Sequence, residues 1–283
     1  MAASDVSSAS GNPALAGFPG IVLLVGAGKM GGAMLEAWLR LGLDPACVVV
    51  SEPHPPGRIR ELAARGLSLN PAVVPDPRVV VLAVKPQTAP EVMPVLAALI
   101  TPATVVVSIM AGRTTDFLES ALPAGTAIIR SMPNTPAALG RGITVARANP
   151  QVTSMQRDLA DSLLRASGAV EWITDEKLLD AVTAVSGSGP AYVFLLAESL
   201  ARAGAAAGLP ADLAMRLARA TVAGAGEMLY RSELDAATLR ENVTSPGGTT
   251  AAALDVLRAP EGLDGLMARA VAAAVKRARK LAT

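Results

Sequence analysis

Histidine and cysteine are nearly missing from this sequence of 283 residues, which holds one of each, His54 and Cys47. A lone cysteine excludes an intrachain disulfide framework and any multi-cysteine zinc site. A lone histidine excludes paired-histidine zinc chemistry and leaves a serine–histidine triad one ring to rest on. Charge of either sign is also scarce: net charge is +1 and no basic block stands out, so there is no electrostatic footprint for nucleic acid. A spanning helix needs roughly 20 continuous apolar residues. The charge-free stretch 92–112 is interrupted by Pro94 and by Thr101-Pro102, and reads as helix, turn and strand. No Lys or Arg precedes Lys29, which fits neither a secretory nor an organellar leader. Residues 1–20, small, polar and Gly/Pro-rich, read as a frayed tail. The expectation is a cytoplasmic protein with no membrane or nucleic-acid partner.

What remains is abundant aliphatic residue in two textures. The length favours two domains and is ample for a core. From residue 21, short β-branched runs (Ile21–Val25, 47–50, 79–84, 104–110 and 127–131) alternate with helical patterns such as 58–65 and 90–100. Nearly continuous apolar runs suit strands buried on both faces of a parallel sheet. Residues 142–147 offer one more strand. The fold class expected is α/β, with a Rossmann-like doubly wound domain over 21–174. After a helical stretch at 152–167 the chain becomes Ala/Leu-rich and helical, with breaks at 186–190, 208–210, near Ser232, at 245–248 and at 259–262. Alanine-rich helices bury little area each, so the all-α domain expected over 175–283 is read as completing its core against a partner subunit.

Three sets of residues carry chemistry. Gly26-Ala27-Gly28-Lys29-Met30-Gly31 fits G-x-G-x-x-G between the first strand and first helix. There Gly26 allows the tight turn, Gly28 admits a pyrophosphate and Gly31 permits close helix–strand packing. The second strand ends at Ser51-Glu52. An acid at this place bonds a ribose 2′-hydroxyl and repels a 2′-phosphate, which leans toward NADH. Against it, Ser51, His54 and Arg58 could together hold a 2′-phosphate. Lys85 and Asn134 follow later strands, outside whose carboxyl ends ligands bind. In the helical half, Ser186-Gly187-Ser188-Gly189-Pro190 and Ser245-Pro246-Gly247-Gly248-Thr249-Thr250 each precede a helix. The second turn offers free amides and hydroxyls that can receive a small carboxylate without an arginine.

GAGKMG, AVKPQ, SIMAG, RSMPNTPA, AVSGSGPAYVF and ENVTSPGGTT stand in the order, and at about the spacing, seen in pyrroline-5-carboxylate reductases. The chain resembles that family from about Ile21 into its last helix. The resemblance implies NADPH- or NADH-dependent reduction of 1-pyrroline-5-carboxylate to L-proline, the last step of proline biosynthesis. It also implies a homodimer that assembles into a decamer. By the same resemblance Gly26, Ala27, Gly28, Lys29, Met30 and Gly31 hold the pyrophosphate, and Ser51 and Glu52 face the adenosine ribose. Ala83, Lys85, Pro86, Met110 and Ala111 line the cofactor, Asn134 lies toward the nicotinamide, and Asn242 lies near the cofactor. Ser245 and the amides of Gly247, Gly248, Thr249 and Thr250 hold the substrate carboxylate, and Glu176 lies near the substrate. The Thr250 hydroxyl, at the ring nitrogen, is the catalytic group. Two residues depart from the pattern: Glu52 replaces a small or hydroxylated residue, and Met110 replaces an alanine and is expected to crowd the nicotinamide. The competing readings are a dehydrogenase of the β-hydroxyacid type, for whose lysine Lys177 is the nearest candidate but reads as a solvated helix-start charge, or of the prephenate type, and a non-catalytic nucleotide-binding partner or sensor.

Overall fold

The computed structural model describes residues 14–282. Of the expected frayed tail, residues 1–13 lie outside the described residues, and residues 14–20 depart from expectation. Leu15 is 2% exposed and joins the core, and its N–H donates to the Leu41 carbonyl at 2.9 Å. A single large aliphatic side chain suffices to tie such a segment down.

The chain forms two compact units. The first ends at Gly187 and also takes the last turn of the chain from Ala278 onward; the second is Ser188–Arg277. The first unit contains β1 (Ile21–Val25), α1 (Lys29–Arg40), β2 (Val48–Ser51), α2 (Gly57–Ala63), β3 (Ser68–Leu69), β4 (Pro77–Leu82) and α3 (Ala89–Ala97). It continues with β5 (Val105–Ser108), α4 (Thr115–Ala121), β6 (Ala127–Met132), β7 (Gly142–Ala148), α5 (Ser154–Arg165), β8 (Gly168–Trp172) and α6 (Leu178–Val182).

Its strands lie in the order β3-β2-β1-β4-β5-β6-β7-β8. The first six are parallel in the doubly wound 3-2-1-4-5-6 order. Strand β7 runs antiparallel to β6, and β8 pairs parallel to β7. Strands buried on both faces need no alternation, and β1 shows why. Val22 and Leu24 point into the core under α1 and α5, whereas Leu23 and Val25 point into the core under α3 and α4. The first core is stitched by Trp38, whose buried Nε1–H donates to the Leu163 carbonyl at 2.8 Å.

Two strands escape the sequence pattern. β3 is only two residues long, and β8 (GAVEW) is an edge strand of mixed exposure rather than a continuous apolar run. Residues 175–187, expected to open the helical half, pack in the first unit, where fully buried Leu179 of α6 clusters with Met132 of β6 and Val145 of β7. The expected break at 186–190 narrows to a bend at Ser188, between a π-helical turn, Thr183–Gly187, and α7 (Gly189–Ala206).

The second unit holds α7, α8 (Ala211–Arg231), α9 (Ala236–Asn242), α10 (Thr249–Leu257) and most of α11 (Leu263–Ala282). α7 and α8 turn back on each other at Gly208-Leu209-Pro210, and Gly204 lets Leu209 and Ala214 approach α7 closely. The helices bury little: only Ala201 on α7, and Ala214 and Ala218 on α8. Phe194, Leu195, Leu196, Met228, Leu229 and Tyr230 are all more than half exposed. Among the described residues one helical stretch, Leu178–Ala206, is long and apolar enough to cross a membrane by length and composition.

Candidate active site

Sheet order reverses between β1 and β4, and there the glycine turn meets the loop after β4. Gly26 has φ +92°, and a Cβ on it would lie 2.7 Å from the Ala83 carbonyl oxygen. Ala83 N–H donates to the Val25 carbonyl at 2.8 Å, and Gly26 N–H to the Ser51 carbonyl at 2.9 Å. A Cβ on Gly31 would collide with the Gly26 carbonyl oxygen, whereas one on Gly28 would meet nothing within 4 Å. Two glycines thus answer to packing, and Gly28 faces open space. Beside it lies a cavity of about 530 Å³ whose walls include Ala27, Gly28, Lys29, Gly32, Glu36 and Arg58. Gly28 caps α1 without a side-chain bond, and no acid occupies the first turn. The first amides are therefore open to an anion, as a dinucleotide pyrophosphate requires. Met30 is half-buried against the core.

Around this turn the other expected residues divide. Ser51 is exposed at the end of β2, and the Glu52 carboxylate accepts the Ala27 N–H at 2.9 Å. Lys85 is exposed at the end of the loop after β4, and Pro86 is held in a way the sequence did not signal. Arg113 donates Nε and Nη2 to the Pro86 carbonyl at 3.0 and 2.9 Å, with its guanidinium 4.5 Å from the centre of the Phe117 ring. Asn134 does not cap its own turn; its Oδ1 accepts the Ile143 N–H at 3.0 Å, bracing the start of β7. Met110 is 2% exposed in the core under α3 and α4, so its side chain is taken up by packing instead of crowding a ligand. Ala111 packs against the Met132 cluster.

Glu176 is committed to an ion cluster. Its Oε1 accepts from Arg130 Nη1 and from Thr115 N–H, both at 2.8 Å, and Arg147 Nη1 stands 3.9 Å from Oε2. Arg130 and Arg147 face each other across the antiparallel β6–β7 pair. Like charges directly opposite are destabilising, and Glu176 offsets them. Burial pushes its carboxyl upward, but the Thr115 N–H and Arg130 outweigh burial and hold it below the ordinary carboxylate value. Lys177, the residue a competing dehydrogenase would need, is exposed, with its N–H bonded to Asp175 Oδ1.

In the second unit the Ser245–Thr250 turn has the geometry of an anion seat. Gly247 adopts φ +69°, and Gly248 N–H donates to the Ser245 carbonyl at 3.0 Å. A Cβ on Gly248 would stand 2.5 Å from Ser245 Oγ. No side chain caps α10, and no acid lies in its first turn. The amides of Thr249 and Thr250 therefore open from a helix N-terminus beside two hydroxyls. Asn242 is exposed at the end of α9.

Residues 176–281 match the family model for pyrroline-5-carboxylate reductase dimerisation, and residues 21–112 match that for coenzyme F420-dependent NADP oxidoreductase. The pyrroline-5-carboxylate reductase of Pseudomonas aeruginosa is 40% identical over 264 residues, covering 92% of this chain and 96% of that one. A pyrroline-5-carboxylate reductase structure from Coxiella burnetii superposes with TM-score 0.82 at 34% identity, over 93% of this chain and 99% of the other. A Plasmodium falciparum pyrroline carboxylate reductase, solved with NADP bound, superposes with TM-score 0.78 at 27% identity, over 94% and 99%. Motifs, doubly wound sheet and relatives agree: this chain belongs to the pyrroline-5-carboxylate reductase family.

Proposed function

We propose the following division of labour for a chain that, as a pyrroline-5-carboxylate reductase, reduces 1-pyrroline-5-carboxylate to L-proline with NADPH or NADH. The amides around Gly28 at the mouth of α1 hold the pyrophosphate. Ser51 and Glu52 take the adenosine ribose, and the segments carrying Ala83, Lys85, Pro86, Met110, Ala111 and Asn134 line the rest of the cofactor, with Asn242 contributing from α9. When bound, the reduced nicotinamide supplies hydride to the imine carbon.

The observation that carries the substrate assignment is the uncapped mouth of α10. A carboxylate seated on the Thr249 and Thr250 amides receives charge-assisted hydrogen bonds without needing a cation. The Ser245 hydroxyl adds a donor. The Thr250 hydroxyl then lies within the same turn, and its role is to hold the ring nitrogen in place and relay its proton. A protonated imine accepts hydride readily, so a chain with one histidine loses nothing. Glu176 supports the substrate side by fixing the Arg130 and Thr115 segments.

The helical half, expected from the sequence over 175–283, supplies the substrate seat and the dimer contact. Its exposed α7 and α8 faces are aliphatic and aromatic, as a subunit interface requires. The same burial accounts for the apolar stretch Leu178–Ala206, so the protein is read as soluble and cytoplasmic, without membrane or nucleic-acid partners. Five dimers form a decamer. The test is oxidation of NADH and NADPH with the imine substrate, alongside light scattering on the purified chain. Turnover by a species of ten 28.6 kDa chains is expected; absence of turnover with either cofactor overturns the catalytic reading, and a monomer overturns the assembly.

A further inference from the structure

The sequence left two readings of the ribose end open, and the geometry decides between them. We propose that this chain prefers NADH to NADPH, and that Asn70 is the positioning residue that sets the preference by fixing Glu52. The inference rests on the reading that the cofactor lies along the glycine turn.

Glu52 is gripped at both its side chain and its backbone. Its Oε2 accepts the Ala27 N–H at 2.9 Å and its Oε1 the His54 N–H at 3.0 Å. A carboxylate has about four acceptor sites, so each oxygen retains one for a sugar hydroxyl. The backbone is held by Asn70, which lies just past β3. Asn70 Oδ1 accepts the Glu52 N–H at 2.8 Å, and its Nδ2 donates to the Glu52 carbonyl at 2.9 Å. Its own N–H donates to the Val50 carbonyl at 2.8 Å. Asn70 does this at φ +48°, and it alone among the described non-glycine residues has positive φ. Such a conformation persists where the surroundings over-determine it, and it clusters at functional sites. Here a two-residue strand ends in a side chain that mimics a third rung of pairing and locks the acid against the glycine turn.

The arginines that would receive a 2′-phosphate are committed elsewhere. Arg58, on the cavity wall, pairs through Nε with Glu36 at 3.1 Å and through Nη1 with Glu61 at 3.3 Å. Arg60 donates Nε and Nη2 to the Pro55 carbonyl. His54 contributes its backbone N–H to Glu52 and leaves its ring in solvent. One arginine thus already serves the carboxylates of Glu36 and Glu61, and Glu52 adds an acid at the glycine turn, where a phosphomonoester would add nearly two further negative charges. A 2′-hydroxyl adds none and can donate to Glu52.

Calorimetric titration of the whole protein with NADH and with NADPH, without substrate, tests this. NADH is expected to bind about tenfold tighter, the repulsion being partly screened at an open cleft. Glu52→Ser is expected to bring the ratio near one by strengthening NADPH. Asn70→Gly keeps positive φ accessible while removing the clamp, and is expected to weaken NADH several-fold and leave NADPH unchanged. A merely structural Asn70 would weaken both cofactors equally, and that result overturns its role. NADPH binding as tightly as NADH to the unmodified chain overturns the preference. If neither cofactor binds, the glycine-turn reading falls as well.

Discussion

Arg130, 4% exposed on β6, donates Nη1 to Glu176 Oε1 at 2.8 Å, and this contact helps tie the antiparallel β6–β7 pair to the segment ahead of α6. Arg130 Nε is buried without a partner, so the guanidinium depends heavily on that carboxylate. Glu176→Gln should destabilise the protein by about 3 kcal/mol, because removing one partner strands a buried charge. Urea unfolding at neutral pH measures it; a loss below about 0.5 kcal/mol, the scale of an ordinary surface substitution, would contradict it.

The same contact fixes a pH dependence. The folded Glu176 carboxyl lies below its ordinary value of 4.5, held there by Thr115 and Arg130 against the opposing effect of burial. A depressed carboxyl contributes stability that is present above the unfolded value and lost as pH falls through the folded one. Melts from pH 6 down to about 3 should show this contribution fading in the unmodified chain and absent in Glu176→Gln. Parallel curves would remove Glu176 from the acid response.

The glycines make separable predictions. Gly28→Ala places a methyl in open space and should leave the melting temperature unchanged while weakening NADH on the order of tenfold or more, since charge-assisted phosphate bonds are displaced. Gly31→Ala drives a Cβ into the Gly26 carbonyl and should cost about 1–3 kcal/mol of stability. Calorimetry and thermal melts on the two variants should give opposite profiles.

Arg113→Ala releases the Pro86 carbonyl and should raise the KM for the nicotinamide cofactor by about tenfold, the worth of a hydrogen bond from a charged group. It should leave kcat nearly unchanged, because Arg113 holds the loop after β4 and has no part in the proposed proton relay. A fall in kcat at constant KM would contradict this.

Thr250→Ala should lower kcat by about a hundredfold, within the usual range for a positioned proton donor. The Kd for NADH should stay the same. An unchanged kcat would exclude the hydroxyl from the reaction.

Local chemistry was the legible part of this protein. The doubly wound sheet follows from β-branched runs, and the glycine turn from its place between a strand and a helix. Both signals lie within a few residues. What stayed hidden depends on long-range partners. Glu176 and Arg130 are 46 residues apart, Arg113 and Pro86 27, and Asn70 and Glu52 18. A charged residue inside the apolar strand β6 was the one available hint that Arg130 has a buried partner. Met110 read as an intruder because sequence alone does not say which face of a chain segment its side chain takes. Leu15 was lost in a tail judged by its average composition.

The central claim is that the amides opening α10 grip the substrate carboxylate while Thr250 holds the ring nitrogen. A crystal structure of the protein with NADH and L-proline tests it most directly. The account predicts the proline carboxylate within hydrogen-bond distance of the Thr249 and Thr250 N–H groups, and the Thr250 hydroxyl on the ring nitrogen. Proline bound elsewhere, with the α10 amides facing solvent or packed side chains, would contradict it.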